Sequence, residues 1–269
     1  MRAIYLFYLY DESILKMGFY DLSKEERGQL VEKINRNILN DLSSGTTESI
    51  LTYFSDEDTY IRKNGYLAIG KLFYAKPELQ NQLLSALENL LYHDNEKVRQ
   101  TVVNAFGEIG KFHFEKVQHV FDSALFDEHH SVRNAVIGSV KKMGEKNPAP
   151  VLAWAKTYLK HPNKEIRREI CHGIELRGRT HPQDILPLLK ELEFDDTRRV
   201  LDTLIHVIGQ ISYKNGCLKT VIEHLNTWEN KALVQKALDE IVDVHERYKK
   251  FAVLSQEKAI VFIDANYKP

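Results

Sequence analysis

The stretch Asp94-Asn95-Glu96-Lys97-Val98-Arg99-Gln100-Thr101-Val102-Val103-Asn104-Ala105-Phe106-Gly107-Glu108-Ile109-Gly110 decides the fold of this chain. Counted from Val98, apolar or small residues fall four, seven, eight and eleven positions on, at Val102, Ala105, Phe106 and Ile109. Those steps trace one face of an α-helix. A polar turn, Asp94-Asn95-Glu96, precedes it. The same turn and anchor recur: Asp58 to Ile61-Arg62, Asp127 to Val132-Arg133, and His161 to Ile166-Arg167. Val200 and Val234 continue the series, so the anchors Ile61, Val98, Val132, Ile166, Val200 and Val234 are spaced 37, 34, 34, 34 and 34 residues apart.

A second apolar-periodic stretch precedes each turn, for example Leu79 to Leu91, Val117 to Phe126, Val151 to Leu159, Ile185 to Leu192 and Leu218 to Leu225. Each repeat therefore reads as helix, tight polar turn, helix. A pair this short cannot bury its apolar face alone, so neighbouring pairs must stack. The expected fold is all-α: a right-handed α-α superhelix, an α-solenoid of about six helix pairs. A single array is expected over residues 23–250, after an extension of uncertain order over 1–22 and before a helical cap and tail over 251–269. One end is expected to be capped by a helix from about Ser23 to Leu42, the other by Ser255 to Asn266 with Ser255 as its N-cap.

The Trp-Leu-Gly-Tyr pattern of tetratricopeptide repeats is missing. The Asp, Val-Arg, small residue and closing Gly of the segment 94–110 resemble the HEAT repeat, over roughly residues 48–250. That resemblance implies a fold and is nearly silent on function.

Composition agrees. Lys+Arg number 37 against 38 Asp+Glu, which argues against a strongly basic nucleic-acid coat. Gly (13) and Pro (7) are scarce, which favours long helices over a turn-rich β-fold. Cys171 and Cys217 are too few and too far apart for a disulfide framework, so a reducing cytoplasm is the expected compartment. No apolar run approaches the roughly 20 residues that span a bilayer, and no membrane partner is expected. The apolar start, Met1 to Tyr10, resembles a signal peptide but breaks at Asp11-Glu12 without a small-residue cleavage site. Met17 offers a second plausible start, which leaves the standing of residues 1–16 open.

The repeated arginines Arg62, Arg99, Arg133 and Arg167 are expected to be structural, each paired with an Asp at an inter-repeat turn. On the second helices, positions two, three, six, nine and ten after the anchor fall outside the apolar arc, on what is expected to be the concave face. There repeats four and five place Arg168, Glu169, His172, Thr203, His206 and Gln210 on adjacent helices, close enough to meet one partner. Arg177 occupies an apolar column and needs a buried partner, with Glu169 and Glu175 as candidates. The stretch 156–181, which includes Arg179, holds seven Lys/Arg, three His and three acidic residues, a local basic excess that suits a phosphate or nucleic-acid contact.

Catalytic signatures are missing. There is no HExxH, phosphate loop, GxSxG or paired CxxC. Cys171 and His172 point about 100° apart on one helix. His172, His206 and Glu169 make too thin a set for a metal, so no metal, cofactor or catalytic residue is assigned. A second resemblance follows from His161-Pro162-Asn163, Ile166-Arg167-Arg168-Glu169, Leu186-Pro187-Leu188-Leu189, Asp195 and the Trp of Leu225-Asn226-Thr227-Trp228: this set is similar to HEAT-like DNA-alkylation-repair glycosylases. It implies excision of alkylated bases from DNA held in a basic groove, with aromatic residues and a carboxylate near the lesion. The expected function is a non-enzymatic, monomeric scaffold engaging a macromolecular partner, a protein or double-stranded DNA, on its concave face. The alternative is a protein of the alkylation-repair type that binds double-stranded DNA, with or without activity.

Overall fold

The computed structural model describes residues 18–268. The reading of residues 1–16 as an extension or signal-like segment lies outside the described residues. All regular structure among the described residues is helical. Packing divides the chain into two compact units, residues 1–108 and 109–269.

In the first unit the helices are α1 (Lys24–Ser44), α2 (Glu48–Phe54), α3 (Thr59–Ala75) and α4 (Gln80–Leu90), followed by the start of α5 (Glu96–Ala124). Ser23 caps α1: its side chain accepts from the Glu26 amide while the Glu26 carboxylate accepts from the Ser23 amide, the reciprocal box that fixes a helix start. The helix ends at Gly45, whose φ of 71° few other residues adopt without strain. Helices α1, α2 and α3 pack on one another and α3 packs on α4, around Ile34, Ile38, Phe54, Ile69 and Phe73.

The second unit begins within α5, which breaks at His113 (φ −134°, ψ 53°). It continues through α6 (His130–Lys146), α7 (Pro148–Tyr158), α8 (Lys164–Gly173), α9 (Glu175–Gly178), α10 (Pro182–Lys190), α11 (Arg198–Gln210), α12 (Cys217–Leu225), α13 (Lys231–Arg247) and α14 (Gln256–Asn266). The second helices of successive repeats lie side by side: α6 on α8 and α9, α8 on α11, α11 on α13. The first helices form their own layer, α10 on α12 and α12 on α14. This is the HEAT-like stacking of helix pairs that the period predicts. All six anchors are buried. Ser255 caps α14 by accepting from the Lys258 amide, as expected.

The arginine column is structural, although its partners differ from expectation. Arg62 Nη1 donates to the carbonyls of Asp56 and Glu57, at 2.5 and 3.0 Å. Arg99 takes those of His93 and Asp94 (2.9 and 3.0 Å), Arg133 those of Asp127 and Glu128 (2.7 and 3.0 Å), and Arg167 those of His161 and Pro162 (2.9 and 3.1 Å). Each guanidinium thus reaches back over its own helix start and ties down two turn carbonyls that no helix ladder can satisfy. The turn carboxylates do other work: Asp127 Oδ1 accepts from the His129 amide, and Asp58 Oδ1 from that of Tyr60. Two of the arginines add a carboxylate: Arg133 reaches Glu169 at 3.4 Å and Arg167 reaches Asp195 of the next turn at 2.6 Å.

Burial on the second helices is wider than one helical face. Thr101, Ala135, Glu169 and Ala237, three positions after their anchors, are all buried, and so is Gln210, ten after its own. A second helix packs on its partner helix and on a neighbour at each side, so the columns at the edges of the expected solvent arc face neighbouring helices. Close approach also demands Gly178: a Cβ there would lie 2.3 Å from Ile185 Cδ1 and 2.8 Å from Ile211 Cγ2.

Two stability outcomes follow. Arg99→Met should cost about 1–3 kcal/mol in urea unfolding, since it leaves two turn carbonyls without a charged donor, whereas the highly exposed Arg198 should change stability by less than about 0.5 kcal/mol on truncation. Gly178→Ala should cost about 1–3 kcal/mol by overpacking. A neutral result would show that α9 and α10 can separate freely.

Candidate ligand-binding face of the second unit

The centre of the second unit holds two buried carboxylates under a layer of cationic side chains. Glu175, which starts α9 after the bend at Ile174, is 1% exposed. Lys141 Nζ of α6 reaches its Oε2 at 3.2 Å. Arg179 closes on its Oε1 through Nε, at 2.9 Å, and through Nη2. Arg179 Nη2 also donates to Gln210 Oε1 of α11 at 3.0 Å. Lys141 Nζ lies 2.7 Å from His172 Nε2, and the His172 and His206 rings are 5.9 Å apart. Four helical segments thus meet at one carboxylate.

Glu169, 3% exposed, takes Arg133 Nε and Arg168 Nη2 on one oxygen, Oε1, both at 3.4 Å. Its Oε2 has no partner among the described residues. Burial raises the Glu169 pKa, outweighing the two arginines. Glu175 goes the other way. Burial pushes it up, but Lys141, Arg179 and His172 together hold it below the ordinary carboxylate value. Burial, and then the Lys141 charge, push His172 down to about 4, with Glu175 opposing and His206 and Arg168 adding. His172 is therefore neutral at pH 7.

Of the residues expected here, Arg168, His172 and His206 are brought together at the surface, and His206 also approaches Glu240 at 3.7 Å. Glu169 and Gln210 are buried instead of presented to solvent. Thr203 Oγ1 turns back to the Arg199 carbonyl of its own helix, at 3.0 Å. Arg177 pairs with Asp184 at 2.7 Å, and neither Glu169 nor Glu175 serves it. Arg179 stands at the centre of the cluster. Lys141 was not singled out from the sequence, and Glu175 only as a candidate partner of Arg177, yet a signal was there. Nine positions after the anchors the chain has Gly70, Gly107, Lys141, Glu175, Gly209 and Asp243. Opposite charges replace glycine in two successive repeats.

His172, Glu175 and His206 bring one donor atom each within 4.8 Å of one another, so the carboxylate that completes a metal-like set is Glu175 and not Glu169. The Lys141 ammonium, however, already lies on both His172 and Glu175. Cys171, the other nucleophile considered, is fully buried, and burial raises its thiol pKa well above the ordinary value. Trp228, the tryptophan quoted for the alkylation-repair resemblance, is committed to the core, as is Trp154. Trp154 Nε1 donates to Asp122 at 2.6 Å and Trp228 Nε1 to His224 Nδ1 at 2.8 Å, both rings buried. Asn163 caps α8 through the Glu165 amide.

Residues 27–125 match the family described as non-SMC mitotic condensation complex subunit 1, a HEAT-type helical repeat family. The match spans less than half of the chain. No curated protein matches. Among solved structures, the chain is similar to an archaeal HEAT-like repeats protein from Thermococcus onnurineus NA1, with 17% identity, 83% of this chain and 98% of that chain covered, and a TM-score of 0.40. It is similar to YibA of Escherichia coli, with 17% identity, 96% of each chain covered and a TM-score of 0.44. It is also similar to computationally designed armadillo repeat proteins for modular peptide recognition, with 16% identity, 80% and 98% covered, and a TM-score of 0.38. The helix order and packing described above carry the fold without these likenesses.

The His172 environment sets a pH dependence. Its pKa drops from about 6.5 in the unfolded chain to about 4 in the fold, so its contribution to stability is complete above pH 6.5 and is lost as pH falls towards 4. Lys141, Glu175, His206 and Arg168 are the charged and titratable groups that act on it. After allowance for partial exposure, wild type should lose about 1 kcal/mol between pH 7 and pH 5 that His172→Gln does not lose. Parallel urea curves for the two proteins across that range would contradict the assignment.

Proposed function

We propose that this chain is a non-enzymatic HEAT-like scaffold whose second unit binds a protein partner on the face formed by α8 and α11. The observation that supports this reading is the meeting of Arg168, His172 and His206 on adjacent helices, held above carboxylates that the fold has buried at some cost. Ordinary solvated helix faces do not need buried anchors for their surface charges. HEAT-like arrays present such faces over large areas, which suits extended partners.

Arg168→Glu is a poor probe, because a new carboxylate would stand beside buried Glu169 and destabilise the unit. His206 and Arg199 are better placed, being 41% and 67% exposed. His206→Ala with Arg199→Ala should weaken partner capture by about tenfold while changing stability by less than about 0.5 kcal/mol. A photo-crosslinker at position 203, compared in wild type and the double variant, provides the readout. Equal crosslinking in both proteins would remove this face from the binding surface.

A further inference from the structure

The cluster around Glu175 is built in two electrostatic layers. The carboxylates Glu169 and Glu175 are 3% and 1% exposed, while Arg133, Lys141, Arg168 and Arg179 are 20–29% exposed. Negative charge lies beneath and positive charge lies outside. Counting the linked pair Glu165 and Arg199 as well, Arg133, Lys141, Arg168, Arg179 and Arg199 face Glu165, Glu169 and Glu175. Five cations against three carboxylates leave an excess of two positive charges, in a protein whose formal net charge is −1. The buried carboxylates hold the cationic heads in place and leave their remaining N–H groups directed elsewhere.

Gln210 adds an independent observation. It is 1% exposed, its Oε1 accepts from Arg179 Nη2, and its Nε2 has no acceptor among the described residues. The Arg179 contact fixes which end of the amide is oxygen, since a guanidinium can only donate. A buried donor without a partner, beside Arg179 and in the same cluster as Lys141, lacks an oxygen.

We propose that Lys141, Arg179 and Gln210 form an oxyanion subsite that receives a carboxylate or phosphate group from an acidic segment of the protein partner. This assignment rests on the scaffold reading and names the chemistry of the partner. It also explains why His172, Glu175 and His206 do not act as a cation site. A divalent ion entering there would have to displace the Lys141 ammonium and face Arg168 and Arg179 as well.

Fluorescence anisotropy on the full chain tests it, with four labelled probes: a Glu-rich peptide, its phosphoserine counterpart, a Lys-rich peptide and a short DNA duplex. The acidic peptides should bind at least about tenfold tighter than the Lys-rich one, and inorganic phosphate should compete. The ratio of phosphoserine to Glu affinity tells which oxyanion is preferred. Lys141→Met with Glu175→Gln removes one charge of each sign and should weaken the acidic peptides about fivefold or more. Should that variant not fold, the charge preference and phosphate competition of wild type decide the matter alone. Equal binding of acidic and basic peptides overturns the proposal. So does exclusive binding of the duplex with a steep salt dependence, or Zn2+ binding that is lost in His206→Ala. If acidic peptides fail but crosslinking to a partner at position 203 still depends on His206 and Arg199, the oxyanion assignment falls and the scaffold reading stands. If both fail, both fall.

Discussion

A buried carboxylate that must remain ionised constrains the middle of the second unit. Glu175 sits where water cannot solvate it, and only the cations on both of its oxygens keep it charged. Lys141 arrives from α6 and Arg179 from the end of α9, and Arg179 in turn orients Gln210 of α11. One charge thus fixes the relative register of three successive second helices. A single hydrophobic column could pack those helices but could not set which polar groups emerge beside one another. Removal of either cation would leave the carboxylate uncompensated, so the outer cationic layer is tied to the integrity of the unit.

The arginine clamps act at a different level. They recur in the first four repeats and close the turn between the two helices, using backbone carbonyls present whatever the side chains of that turn. That independence explains why the clamp survives at Arg167, where the turn reads His161-Pro162-Asn163 and holds no Asp. The residues proposed to meet a partner include Lys141, in a column where the repeat departs from its own pattern.

Much of this was legible in the sequence. The anchors, the two-helix repeat and both caps follow from apolar spacing and from Ser23 and Ser255, because helix periodicity and N-cap chemistry are local properties. Arg168, His172 and His206 were found for the same reason: helical angle places them. The burial of Glu169 and Gln210 was not legible, since a helical wheel knows one face and a stacked helix has three neighbours. Arg177 found Asp184 and not a glutamate of its own helix, because the partner comes from α10, a tertiary choice no local rule contains. Lys141, and the place of Glu175 beside it, were legible only by comparing repeats, where the glycine column turns charged. Trp228, which contributes to the resemblance to base-excision proteins, belongs to the core, as does Trp154, and side-chain burial of that kind depends on tertiary packing.

Hydrogen–deuterium exchange with a Glu-rich peptide bound tests the two-layer account most directly. Protection should concentrate on α6, α8–α9 and α11, around Lys141, Glu175, Arg179 and Gln210, and leave α2 to α4 unchanged. Protection confined to the first unit, or spread evenly over both, would contradict it.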